Sequence, residues 1–289
     1  MACRSRGGSQ APWPGTSTHP SAWGTPPRRW PSRCVRRRRD HRRLLHVLHS
    51  RRPGAVWAMD HTEPPEPIDG RWLHILAVRD LASRMQLGWF PVASEDAHET
   101  CLALEDLFRR YGPPLVLKSD NGSAFISEDT RKLLEQWDVL PLFSPPRTPE
   151  YNGGCEAGNG AMKTRSQHQA ILHDCPAHWT AVDLNVAQAI ANELYWPWGH
   201  RGPTAGEVWR RRRPITAAER AAFRGAVARH QDRARQELGY PKDQPLGPQA
   251  QARIDRLAIR RTCVECGLLS FTRRSITTPL TAQFVAGIS

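Results

Sequence analysis

The sequence predicts an α/β fold built on one mixed β-sheet. Three short apolar runs joined by turn residues come first, and segments with helical spacing of apolar residues then alternate with two further short runs. Hydrophobic residues make up 39% of the 289 residues, which is enough for a substantial core. Three strands followed by helix, strand, helix, strand and helix indicate five strands flanked by helices.

The first three strands are predicted at Val56–Asp60, Trp72–Val78 and Met85–Val92. Turn residues such as Asp69-Gly70 separate them, and this spacing favours an antiparallel meander.

The second half of the sheet alternates with helices. A helix is expected over Glu95–Tyr111, where apolar residues follow helical spacing, and Gly112-Pro113-Pro114 ends it. The remaining elements are expected in the order strand, helix, strand and helix, at Leu115–Lys118, Ser127–Trp137, Val139–Phe143 and Gly153–His173.

More helices are predicted toward the C-terminus. His178–Trp196 has one apolar face, and two capping boxes, Thr204 with Glu207 and Thr216 with Glu219, begin a short and a longer helix. A last helix is expected at Ala252–Arg261. We therefore predict a basic arm at 1–53, a catalytic core at 54–210 and a basic helical extension at 211–289.

The charge distribution predicts nucleic acid as the partner. The net charge is +13, and residues 1–53 carry 13 arginines against one acidic residue, with almost no apolar periodicity. This arm is expected to be disordered and to contact DNA through a run of arginines, namely Arg36, Arg37, Arg38 and Arg39. A solvated tail, or a start codon placed too far upstream, would also account for it.

The 7 cysteines are odd in number and scattered, which argues against a disulfide framework. No apolar run approaches the length of a membrane span, and the N-terminus lacks the apolar core of a signal peptide. We expect an intracellular, cytoplasmic protein.

Three acidic residues lie at predicted positions where their carboxylates could come together and bind a metal ion. Asp60 lies in the first strand, Asp120 follows the fourth, and Glu156 begins a helix after a proline-rich loop, with 35 residues between the last two. The first and fourth strands can be neighbours in this order, so their aspartates would be adjacent. Carboxylates brought together repel one another unless a cation lies among them, and oxygen-only ligands suit Mg²⁺ or Mn²⁺. Two such ions could activate one oxygen and stabilise another in a displacement at phosphorus.

Three blocks around these acids resemble the integrase core shared by retroviral integrases and bacterial insertion-sequence transposases. The blocks are VWAMDHT, LKSDNGSAF and SPPRTPEYNGGCEAGNGAMK, and the later GPTAGEVW is similar to a transposase tail. The resemblance implies a ribonuclease-H-like fold and Asp60, Asp120 and Glu156 as catalytic metal ligands. It also implies a homo-oligomer working on element-end and target DNA in the nucleoid, with residues lining the DNA at Asn121, Asn152, Asn159 and Lys163.

Some of these residues have simpler explanations. Glu156, Asn159 and Lys163 share one helix face by spacing, which suits a metal and a phosphate backbone but also an ordinary solvated face. Asp120 before Asn-Gly could be a turn-forming aspartate. Asp80 is expected to form a structural pair with Arg79 and Arg84.

Two other functions stay open. The glycines of the Glu156 helix and the lack of a helix-turn-helix in residues 1–53 are also typical of a truncated or domesticated remnant that binds DNA without catalysis. A plain ribonuclease H would use the same metal chemistry, although the 35-residue spacing argues against it.

Overall fold

The computed structural model describes residues 44–145, 153–241 and 244–275. Its central sheet has five strands in the order β4-β3-β2-β5-β6. Strands β2, β3 and β4 pair antiparallel, whereas β5 runs parallel to β2 and β6 runs parallel to β5. This arrangement confirms the predicted mixed sheet. The strands are β2 (Val56–Thr62), β3 (His74–Asp80), β4 (Gln86–Val92), β5 (Val116–Ser119) and β6 (Leu140–Phe143).

Helices occupy both faces of the sheet and the C-terminal part of the chain. They are α1 (Ala97–Tyr111), α2 (Ser123–Ile126), α3 (Glu128–Gln136), α4 (Gly153–Leu172), α5 (Ala181–Ala189), α6 (Ala205–Arg210), α7 (Ala217–Glu237) and α8 (Pro248–Glu265). A π-helical turn, Ile190–Leu194, continues α5, where a single α-helix was predicted. Asp96 caps the start of α1, where its side chain accepts a hydrogen bond from the Glu99 amide. No helix within the described ranges is long and apolar enough to span a membrane.

The two faces of the sheet pack against different helices. On one face, Trp57, Leu76 and Leu117 join Phe108 of α1 in a buried cluster. On the other, Ala77 and its neighbours pack against α4 and α5. Side chains alternate between faces along a strand, so even-numbered residues of β2 point toward α4.

The C-terminal helices pack onto the core. Val116 of β5 lies in a buried cluster with Phe223 of α7 and Ile259 of α8. The Arg220 guanidinium donates to the carbonyls of Pro113, Pro114 and Asp138, at 2.8, 2.8 and 2.7 Å. Residues Leu48–Ser270 form one compact unit, and the predicted domain boundaries at 53/54 and 210/211 stay predictions.

The predicted disorder of residues 1–53 is wrong for the end of that segment. Leu44–Ser50 forms β1, which pairs with β7 (Leu269–Ser275) in a two-stranded sheet. The Arg51 amide also donates to the carbonyl of Leu268 at 2.9 Å. Leucine and valine make up much of β1, and a distant strand supplies the backbone partners that local sequence could not reveal. The run from Arg36 to Arg39 lies outside the described residues.

The predicted pairing of Asp80 with arginines is also wrong. Its carboxylate is fully buried and accepts hydrogen bonds from the Gly54 amide at 2.8 Å and from the Ser83 amide and hydroxyl at 2.7 and 2.6 Å. Burial nonetheless raises the pKa of Asp80. Because consecutive strand residues point to opposite faces, Asp80 and Arg79 lie on different sides of the sheet.

Candidate active site

Asp60 and Asp120 lie side by side near the carboxyl ends of the neighbouring inner strands β2 and β5. Parallel pairing of β2 with β5 aligns Ala58 with Lys118. Two residues further along both strands, this register brings Asp60 level with Asp120, and neighbouring strands lie about 4.8 Å apart. The strand order therefore produces the adjacency that the sequence predicts.

Asp60 is held in a half-buried position between the sheet and α4. Its Oδ2 accepts a hydrogen bond from the Asn159 side-chain amide at 2.9 Å. Burial, followed in decreasing order by the charges of Asp120, Glu156 and Glu95, raises the pKa of Asp60 from 3.8 to about 6. A carboxyl group whose pKa is raised by three others lies in a region of strong negative potential, which favours a cation.

Asp120 is exposed and shapes the turn after β5. Its Oδ1 accepts from the Gly122 amide at 2.9 Å, which is the turn-forming role that the sequence leaves open. The Asn121 side chain donates to the Ser144 carbonyl at 2.9 Å and joins this turn to the end of β6. Asn121 therefore has a structural contact, and its predicted DNA contact stays a prediction. The second oxygen of Asp120 accepts no hydrogen bond from the part of the chain that the structure describes.

Glu156 lies in the first turn of α4 and is exposed. The positive end of the helix dipole stabilises a carboxylate at this position. Lys163, two turns further, is half-buried. The predicted stripe along α4 therefore follows the border between the buried and the exposed side of the helix.

Asn159 is buried and contacts Asp60, and its predicted DNA contact stays a prediction. It is only 6% exposed, and its amide faces the carboxylate of Asp60. The sequence correctly predicts that Asn159 lies on the same side of α4 as Glu156 and Lys163. Its burial could not be predicted, because it depends on how α4 tilts onto the sheet. Asn152 lies outside the described residues.

Sequence reasoning missed two basic side chains beneath α4. Lys118 is 9% exposed, and burial lowers its pKa to about 8, against the opposing charges of Cys155 and Glu156. Arg79 aligns with Ala58 on the other side of β2, so the two cations flank a small residue. Cys155 above them is buried, and burial raises its pKa to about 12. The sequence did contain a signal for Lys118. It lies two residues before Asp120 in an apolar strand, so its side chain must point to the same face of the sheet as Asp120.

The donor set suits a hard divalent ion. Mg²⁺ and Mn²⁺ prefer carboxylate oxygen and retain part of their water, so a site shared by Asp60, Asp120 and Glu156 fits their chemistry. Among the described residues, no three acidic, histidine or cysteine side chains are close enough together to surround an ion by themselves. Asp120 and Glu156 lie near enough to Asp60 for their charges to raise its pKa, in addition to the larger effect of burial, but the three do not form a closed ligand set.

Comparison with known proteins finds a similarity over the part of the chain that contains this geometry. Residues 50–149 are similar to the integrase core domain. The matched segment contains Asp60 and Asp120 and ends before Glu156.

Retroviral polyproteins are among the proteins to which this chain is similar. The chain is 30% identical over 147 residues to the Pro-Pol polyprotein of feline foamy virus, covering 50% of this chain and 12% of that protein. It is 30% identical over 129 residues to human KRAB-A domain-containing protein 2, covering 44% of this chain and 25% of that protein. The chain thus spans a quarter or less of the length of these relatives.

A solved structure supports the fold. The simian T-cell lymphotropic virus intasome, in complex with PP2A regulatory subunit B56 gamma, matches with a TM-score of 0.50 and 22% identity, over 58% of this chain and 61% of that chain. At this identity the likeness concerns the fold alone, and it agrees with a ribonuclease-H-like sheet.

Proposed function

We propose that this protein is a transposase or integrase that cuts and joins DNA strands. It would be a DDE-type polynucleotidyl transferase, named after its two aspartates and one glutamate, here Asp60, Asp120 and Glu156. The observation that carries the proposal is the proximity of the three acids: strand register brings Asp60 level with Asp120, and burial together with the charges of Asp120 and Glu156 raises the pKa of Asp60 to about 6. The similarity of residues 50–149 to integrase cores supports the same reaction class. Because the three sequence blocks also resemble bacterial insertion-sequence transposases, we include in this proposal that the protein comes from such an element.

The three carboxylates would hold Mg²⁺ or Mn²⁺, and two such ions would activate the attacking oxygen and stabilise the leaving one. The protein's own part is placement. Asn159 orients Asp60 through its hydrogen bond, the turn at Gly122 fixes Asp120, and α4 presents Glu156.

DNA and further copies of the chain would complete the reaction. Lys163 on α4, together with the N-terminal arginines, would contact the DNA backbone, which carries one charge per phosphate. Joining two element ends to a target needs at least two active sites, so we propose that a homo-oligomer assembles on DNA.

Strand transfer with duplexes that carry the element's ends tests this function. We expect product with Mg²⁺ or Mn²⁺, and a loss of at least 100-fold in Asp60→Asn, Asp120→Asn and Glu156→Gln. Asp106→Asn is the matched control, because Asp106 forms an exposed ion pair with Arg110 on α1. Unchanged rates in the three variants would contradict the assignment. Salt-sensitive DNA binding without any cleavage would instead indicate a non-catalytic remnant, and cleavage of RNA–DNA hybrids alone would indicate a ribonuclease H.

A further inference from the structure

Three arginines converge on a small cavity beside α4. Arg79 of β3, Arg84 of the following turn and Arg165 of α4 line it, together with Gly158 and Tyr195. No acidic side chain is among the described residues that line this cavity. We call Arg79, Arg84 and Arg165 the arginine pocket.

Arg79 is the central member of the arginine pocket. Its guanidinium lies directly against α4, since a Cβ added to Gly158 would stand 2.0 Å from Nη1. Burial lowers the pKa of Arg79, and the charges of Arg84 and Arg165 lower it further, against the opposite effects of Cys155 and Asp80. Across the described ranges, its guanidinium forms neither a hydrogen bond nor an ion pair. A largely buried cation without a partner is costly, so this arrangement favours an anionic ligand.

The other two arginines retain donors for such a ligand. Arg84 donates one N–H to the Pro197 carbonyl at 3.0 Å, and Arg165 donates one to the Ala161 carbonyl at 2.9 Å. A guanidinium has five N–H donors in a planar fork that matches phosphate oxygens. Both side chains therefore can hold a phosphate while keeping their present contacts.

Exposed aromatic side chains adjoin the arginine pocket. Tyr195, Trp196 and Trp198 are 50%, 46% and 44% exposed. Arg165 lies 4.5 Å from the Tyr195 ring centroid, and Arg84 lies 5.3 Å from that of Trp198. Basic side chains that hold phosphates, next to aromatic rings on which bases stack, are typical of surfaces that bind single-stranded nucleic acid.

The arginine pocket is separate from the carboxylates. Arg165 follows Glu156 by nine residues, which at 100° per residue places the two side chains on opposite flanks of α4. A phosphate in the pocket therefore belongs to a different part of the DNA from the reacting phosphate.

We propose that the arginine pocket binds a backbone phosphate of an unpaired DNA strand, and that the aromatic segment 195–198 stacks against the bases of that strand. This inference rests on the proposed function for its ligand. It adds a second DNA contact, on the flank of α4 away from Glu156.

Binding of the full chain to a single-stranded oligonucleotide over a range of salt concentrations tests the proposal. Replacing all three arginines together by glutamine should reduce the magnitude of the slope of log K against log salt by about 0.7, the value for one phosphate, and Arg84→Gln, Arg165→Gln and Arg79→Gln should each reduce it by part of that amount. Arg109→Gln, which removes an exposed charge paired with Glu105, should leave the slope unchanged. In strand transfer, the pocket variants should raise the DNA concentration for half-maximal rate and leave the rate at saturating DNA unaltered.

A thermal-shift series with inorganic phosphate gives an independent readout. Phosphate should raise the Tm of the unmodified chain and of Arg109→Gln, and raise it less in the three pocket variants. Arg79→Gln without phosphate should unfold at an equal or higher temperature, because it removes a buried unpaired charge. A lower Tm that phosphate still raises as in the unmodified chain would overturn the pocket as an anion site.

The outcomes separate this inference from the proposed function. Pocket variants that bind DNA with unchanged slopes, in a chain that transfers strands, would overturn the inference alone. Reduced slopes in a chain that never cleaves DNA would support the inference and contradict the proposed function. If phosphate raises the Tm through the pocket but the variants bind DNA unchanged, the pocket is a site for free anions only. If the variants lose self-association, a second copy of the chain is the occupant. Either result overturns the DNA contact.

Discussion

Replacing Asp60 by asparagine should stabilise the metal-free protein while abolishing catalysis. The substitution keeps the shape of the side chain and leaves an oxygen to accept the hydrogen bond from Asn159. It removes the charge that is disfavoured by burial and by Asp120 and Glu156. A catalytic residue that lowers stability is expected where like charges are held together for a ligand.

The magnitude follows from the raised pKa. The difference between about 6 and the ordinary 3.8 corresponds to roughly 3 kcal/mol of unfolding free energy, at about 1.4 kcal/mol per pH unit. Asp60 is only half-buried, so solvent screening reduces this to about 1–2 kcal/mol. For a unit of this size the gain corresponds to a Tm increase of roughly 2–8 °C.

The gain should depend on pH in a defined direction. Below about pH 4, Asp60 is protonated in both the folded and the unfolded chain, so Asp60→Asn changes stability little there. Between about pH 4 and 6 the unfolded chain releases this proton first, and the wild-type protein loses stability relative to the variant. Above about pH 6 the difference is complete.

Thermal unfolding with a metal chelator at pH 4.5 and pH 8 measures this effect. Asp106→Asn is again the control and should alter the unfolding free energy by less than about 0.5 kcal/mol, because its ion pair is exposed. Saturating Mg²⁺ at pH 8 should stabilise the wild type more than Asp60→Asn. Equal or lower stability of Asp60→Asn at pH 8 would refute the reasoning, and so would a gain of the same size at both pH values.

Three further substitutions test separate contacts. Asn159→Ala should weaken Mn²⁺ binding about tenfold or more by releasing Asp60 from its orienting hydrogen bond, as measured by calorimetry, and unchanged affinity would exclude that role. Asp80→Ala should cost about 3 kcal/mol in urea unfolding, because three buried donors lose their acceptor; a cost below 1 kcal/mol would show that water replaces it. Arg220→Ala should cost about 2–3 kcal/mol by leaving three carbonyls without their donor, whereas Arg224→Ala, at a more exposed position, should cost less than 1 kcal/mol, and equal costs would contradict the difference.

Local sequence patterns were sufficient to predict the sheet and most helices. The period of apolar residues identifies α1, and the two capping boxes at Thr204 and Thr216 appear as predicted, with both reciprocal hydrogen bonds. These features depend on residues within a few positions of one another, so the sequence contains them directly.

Features that depend on distant contacts were not predictable. The strand Leu44–Ser50 needs a partner more than 200 residues away, and composition alone indicated disorder. The burial of Asn159 and the partners of Asp80 depend on how α4 and the β3–β4 turn pack. For the candidate site, residue types and order predict the adjacency of Asp60 and Asp120, whereas the basic side chains beneath α4 emerge only from strand register.

Mn²⁺ binding, followed by the electron paramagnetic resonance signal of the free ion, tests most directly whether the three carboxylates form one metal site. The account predicts that the wild-type chain and Asp106→Asn bind Mn²⁺ equally, and that Asp60→Asn, Asp120→Asn and Glu156→Gln each weaken binding at least tenfold. Binding that none of these three substitutions changes would contradict it.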